Sequence, residues 1–139
     1  MRPIRLLMLL ASMGIAASQS ATDAIVTNLS TANWIREKGA EAGSEGVMLH
    51  ADPKTGGMEL LVLFPAAHVI APHFHNSNER IVVVEGQLTL RRESGVAAID
   101  TGGYAFLPAR EVQRLSCSSK MRCTFYLMWD GKPDSHPAN

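Results

Sequence analysis

Short apolar runs, broken every eight to twelve residues or so by glycine, proline, asparagine or aspartate, fill most of this chain, which is the pattern of strands and turns. Residues 47–50 predict a strand, and Asp52-Pro53-Lys54-Thr55-Gly56-Gly57 the turn that follows. Residues 59–64 are apolar after Glu59, which predicts a strand buried on both faces. Residues 80–84 and 87–92 read as a hairpin about Glu85-Gly86. Glu93-Ser94-Gly95 leads into a strand over 96–99, and Asp100-Thr101-Gly102-Gly103 into one over 104–107. Residues 112–117 and 121–129 read as a last hairpin. Its second arm, Phe125-Tyr126-Leu127-Met128-Trp129, is apolar on both alternating faces. One face packs inside, so the other needs cover, from the segment around Trp34 or from a second subunit. Evenly spaced short strands predict an all-β sandwich or barrel over residues 47–130. Residues 21–46 read as an arm laid on that barrel, anchored by Trp34-Ile35; Gly39, Gly43 and Gly46 argue against a long helix there. The tail, residues 131–139, has two prolines and no pattern, and reads as loose.

The first twenty residues depart from this pattern. Arg2 and Arg5 precede an apolar run from Leu6 to Ala11, extended through Met13 to Ala17, and small residues follow. That order predicts a secretory signal peptide over residues 1–20, cleaved after Ser18 or Ser20. The run is short for a membrane span, so no stable insertion is expected after cleavage. The expected location is periplasmic or secreted. Cleavage would leave 11 basic against 13 acidic residues, from a full chain of zero formal charge. There is no basic stripe, so a nucleic-acid partner is not expected. An oxidising compartment would let Cys117 and Cys123, across the short Ser118-Ser119-Lys120 segment, form a disulfide; two small buried thiols are the alternative.

The candidate chemistry lies in Pro72-His73-Phe74-His75-Asn76-Ser77-Asn78-Glu79. Residues i and i+2 of a strand share a face, so His73 and His75 point together. Two imidazoles aimed at one place suggest a metal site, and Glu79 can supply an anionic third ligand. A cation would also relieve the cost of burying that carboxylate.

These residues resemble the first signature of the cupins, in which His-x-His, a glutamate and a later glycine fall in order: His73, His75, Glu79 and Gly86, with Ala67 where the family opens on glycine. The second signature is half kept. Gly102 and Pro108 are in register, but Arg110 stands for a glycine, Gln113 for a histidine and Cys117 for an asparagine. Trp34, Leu49-x-x-Asp52-Pro53-x-x-Gly56 and Leu61-Val62-Leu63-Phe64-Pro65-Ala66 resemble the subgroup related to anti-sigma-factor cupins, with its zinc-binding sensors and small dioxygenases.

The resemblance implies an all-β double-stranded β-helix, or jelly-roll cupin barrel. It implies one divalent metal ion (iron, zinc, manganese or nickel) at His73, His75 and Glu79, with Gln113 in the fourth place. Gln113 either binds through oxygen or hydrogen-bonds a metal-bound water or the substrate. Two histidines and one carboxylate resemble the facial triad of non-haem iron oxygenases. The expected function is therefore a mononuclear metal-binding cupin acting on or binding a small organic molecule, with a dioxygenase as the enzymatic form. The alternatives are a non-catalytic metal- or ligand-binding sensing module and a metal-free barrel that keeps the ligand residues. A homodimer is expected, since cupins commonly pair through sheet surfaces. Of the other histidines, His68 is expected to be exposed, His136 to sit in the loose tail, and His50 either to face the barrel or to be an ordinary strand residue. Phe74, Tyr104, Phe106 and Tyr126 are expected in core or interface packing, and Arg110 as a solvated loop residue or one reaching over the mouth.

Overall fold

β-branched and aromatic residues at alternate positions make strands, and the structure, a computed structural model, describes residues 24–36 and 43–139 as strands and loops only. The expected signal peptide and part of the arm lie outside the described residues. The strands are β1 (Ile35–Arg36), β2 (Glu45–Ala51), β3 (Met58–Phe64), β4 (His73–Phe74), β5 (Glu79–Glu85), β6 (Leu88–Arg92), β7 (Gly95–Ile99), β8 (Tyr104–Leu107), β9 (Gln113–Cys117), β10 (Cys123–Trp129) and β11 (His136–Pro137). They form two antiparallel sheets, ordered β1-β2-β3-β10-β5-β8 and β11-β4-β9-β6-β7. From β3 onward the chain passes repeatedly between the sheets, so the all-β jelly-roll expectation holds.

The inward residues of both sheets make one core. Leu60, Phe64, Ile81, Val83, Leu88, Leu90, Leu115, Phe125 and Leu127 are all buried in it. Phe64 and Phe125 meet edge to face with centroids 4.9 Å apart, a favoured aromatic geometry. β3 is buried on both faces, since Leu61 on its outer side is as covered as Leu60.

Two expected hairpins are corrected. β5 and β6 lie in different sheets, and so do β9 and β10. Residues 80–92 and 112–129 are thus sheet-switching corners. At the first, Gly86 has φ +83°, and a Cβ there would stand 2.8 Å from the Arg122 carbonyl oxygen. The turn passes directly over the start of β10, where no side chain fits. At the second, Cys117 and Cys123 are joined by a disulfide with Cα atoms 5.7 Å apart. It ties the end of β9 to the start of β10, linking the two sheets, and so small a loop contributes about 2 kcal/mol.

Both ends of the barrel are also corrected. β2 begins at Glu45, inside the expected arm, and Ile35 and Arg36 pair with Gly46 and Glu45. The tail is docked, not loose: His136 and Pro137 pair with Phe74 and His73, and the Ala138 amide donates to the Pro72 carbonyl at 3.1 Å.

Candidate functional site

Two cross-strand pairs, one in each sheet, frame the site. His73 opposes Gln113 between β4 and β9, and Glu79 opposes Trp129 between β5 and β10. His75, in the link from β4 to β5, completes the group. His73, His75, Glu79, Gln113 and Trp129 are each 5% exposed or less, so this polar group is taken out of water. It sits at one end of a cavity of about 50 Å³ between the sheets, whose other walls include Leu60, Val62, Phe64, Ile70, Leu115, Phe125 and Leu127.

Hydrogen bonds assign the protons. His73 Nδ1 lies 2.8 Å from the Ala71 carbonyl oxygen, which can only accept, so Nδ1 carries the proton and Nε2 a lone pair. Burial lowers the His73 pKa and keeps the ring neutral. His75 Nδ1 donates to the Asp134 carbonyl oxygen. Its Nε2 faces Glu79 Oε2 at 2.8 Å. Burial works against a charged His75, but the hydrogen bond and charge of Glu79, together with Asp134, outweigh it and raise the pKa. His75 and Glu79 thus form a close buried pair. The carboxylate also accepts from Trp129 Nε1 at 3.0 Å and from Gln113 Nε2 at 3.2 Å. The NH₂ of Gln113 is the donor to the carboxyl group, so the amide oxygen is turned away from it. That oxygen is buried and has no partner among the described residues.

Among the described residues, no three His, Cys, Asp or Glu side chains stand in the arrangement of an ion's ligands. His75 Nε2 and Glu79 Oε2 are in direct contact at 2.8 Å. The donor chemistry nevertheless fits a divalent ion. His73, His75 and Glu79 bring two imidazoles and one carboxyl group to the same cavity.

The other expectations divide. His50 is exposed, borders a shallow outer pocket with Glu59 and Tyr126, and does not line the barrel cavity. His68 is half-buried rather than exposed, tilted against Phe64 with centroids 4.7 Å apart. Tyr104 and Phe106 are exposed on edge strand β8, and the Arg80 guanidinium covers Phe106. Tyr126 is exposed and shares its pocket with Ile25 and Thr27, so the segment before Trp34 reaches this face. Arg110 is exposed, adopts φ +68°, donates its amide to the His75 carbonyl at 2.7 Å and sets its guanidinium over Phe74.

Sequence reasoning missed three contributors. Trp129 was legible as core but not as the donor that holds Glu79; a buried indole N–H needs a partner, which was the available signal. Asp134 acts through its backbone carbonyl on His75, and its carboxylate accepts from the Asn76 amide at 2.9 Å and from His136 Nε2 at 2.9 Å. Burial pushes the Asp134 pKa up, but the hydrogen bonds from Asn76 and His136 overcome it and lower it. His136 stacks on Phe74 with centroids 4.9 Å apart. No side-chain pattern announces a backbone carbonyl.

Comparison with known proteins agrees with this fold. RemF, a polyketide cyclase from Streptomyces resistomycificus, superposes with a TM-score of 0.67 at 18% identity, over 84% of this chain and 87% of that one. KdgF from Halomonas sp. gives 0.63 at 19% identity, over 78% and 94%. The anti-sigma ChrR structure, solved with SigE of Rhodobacter sphaeroides, gives 0.60 at 16% identity, over 74% of this chain and 52% of that one. At these identities the likeness is one of fold. No curated protein matches the chain. Cupins commonly bind a metal ion. The model of the ChrR cupin-like domain matches residues 22–130, and the chain belongs to that family.

Proposed function

We propose that this ChrR-like cupin is an exported protein that binds one divalent metal ion through His73, His75 and Glu79 and holds a small organic molecule beside it. The observation that carries the reading is a buried end of an apolar cavity that offers two imidazoles and a carboxylate. His73 is oriented by Ala71, His75 by Asp134, and the carboxylate by Trp129 and Gln113, so each group is held before anything binds. The apolar walls shape the space for the organic molecule and keep water from it. When bound, a redox-active ion supplies Lewis acidity and one-electron chemistry. Two histidines and one carboxylate with open positions suit a dioxygenase-type oxidation, the reaction assigned here. The Cys117–Cys123 disulfide supports export to an oxidising compartment, and the exposed Tyr104 and Phe106 of edge strand β8 support a homodimer.

The test is metal add-back to the chelated full chain, read by elemental analysis and thermal unfolding. About one ion per chain is expected with iron(II), zinc, manganese or nickel, with a higher Tm, and both effects are lost in Glu79→Ala. Failure of all four ions to bind would refute the reading. A second reading, a sensing module without turnover, is favoured by the family match itself. Metal binding without O₂ uptake across a panel of small phenols and ketones selects it.

A further inference from the structure

Gln113 has no role in the ligand set above, yet it is the most deeply buried of the polar residues lining the cavity apart from Ser44, at 2% exposure. Its amide orientation is dictated by chemistry. Glu79 accepts, so the NH₂ faces Glu79 at 3.2 Å and Oε1 is left as a buried acceptor without a partner among the described residues. His73 Nε2 is likewise a lone pair, because Nδ1 carries the proton. Trp129 Nε1 and one N–H of the Gln113 amide donate to Glu79, and His75 Nδ1 donates to Asp134. Gln113 Oε1 is the acceptor left for a ligand, and the other walls are mainly carbon, from Leu60, Phe64, Ile70, Leu115, Phe125 and Leu127, with Ser44, Glu45 and Gly46 also on the lining.

We propose that the barrel selects a neutral, hydroxyl-bearing apolar molecule, a small phenol or alcohol, whose O–H donates to Gln113 Oε1. This rests on the reading that the cavity holds a small organic molecule, and it makes Gln113 the residue that determines specificity. A buried acceptor left unpaired is costly, so a ligand that supplies the donor is favoured over one of equal shape that does not. In the chelated chain a carboxylate head supplies no donor to Oε1 and stands beside Glu79, so acids are disfavoured there. An ether or methyl group fits the shape and leaves Oε1 unpaired.

The test is calorimetric titration of the full chain, chelated and then zinc-loaded, with phenol, toluene, anisole and benzoate. Phenol is expected to bind roughly 10- to 100-fold tighter than toluene and anisole, with benzoate weakest in the chelated chain. In Gln113→Leu the phenol preference over toluene is expected to shrink to within about threefold. Because the comparison among ligands is made on the unaltered chain, it stands even if that variant fails to fold. Equal affinity for phenol and toluene, tightest binding of benzoate to the chelated chain, or no binding of phenol would each overturn the proposal. If zinc does not bind while the phenol preference holds, only the metal assignment falls. If zinc binds and the preference is absent, only the role of Gln113 falls.

Discussion

Replacing Glu79 by glutamine keeps the shape of the side chain and removes its charge, which isolates the ion pair from the packing. In the metal-free protein the carboxylate answers three donors: His75 Nε2 at 2.8 Å, Trp129 Nε1 at 3.0 Å and Gln113 Nε2 at 3.2 Å. Breaking a buried pair by removing one charge costs about 3–5 kcal/mol when the other charge stays. Here His75 can shed its proton, and the new amide oxygen can still accept from Trp129, so a net loss of about 2 kcal/mol is expected. For a domain of this size that lowers Tm by roughly 6–8 °C. The sign with pH follows from His75. Its folded pKa is raised above the ordinary 6.5, so its contribution is complete below 6.5 and is lost as pH rises through the raised folded value. The variant lacks the partner that raises it. The Tm gap between wild type and Glu79→Gln should therefore be wider at pH 6 than at pH 9, measured by calorimetry on chelated protein. Equal Tm values for the two proteins at both pH values would refute the coupling of His75 to Glu79.

Three further outcomes follow from single contacts. Ending the chain after Lys132 removes β11 and the Asp134 carbonyl that orients His75, so metal affinity should fall about tenfold while the circular dichroism stays that of a β-barrel; unchanged affinity would mean the tail does not position the site. Reducing the Cys117–Cys123 disulfide, or replacing both residues by serine, should cost about 2 kcal/mol in chemical denaturation without altering metal affinity, since the bridge sits at the end of β9 opposite Gln113. Arg110→Gly should raise stability by about 1 kcal/mol, because φ +68° is a left-handed conformation that strains any residue with a Cβ; a fall in Tm would assign more to the Arg110–Phe74 contact than to the backbone.

The parts of this site that were legible are those whose meaning lies within a few residues. His73 and His75 share a face because a strand repeats every two positions, and Glu79 comes to the same cavity from the next strand. Most central strands were legible for the same reason. Which sheet a strand joins was not. A tight turn at Glu85-Gly86 looks alike whether the chain folds back on itself or crosses to the other sheet. The choice is made by residues far along the chain, where Thr124, not a neighbour on β6, pairs with Glu85. The tail failed for a sharper reason. Asp134 orients His75 through an oxygen that every residue carries, and β11 pairs through backbone groups of a segment with two prolines. Hydropathy cannot register such contacts, because they bury little apolar surface. They matter because an imidazole proton needs an acceptor at one place only, and the chain end supplies it after β10 has brought Trp129 to Glu79. The same β10 thus sets the carboxylate and delivers the strap for the imidazole, which couples the two halves of the site through a single strand.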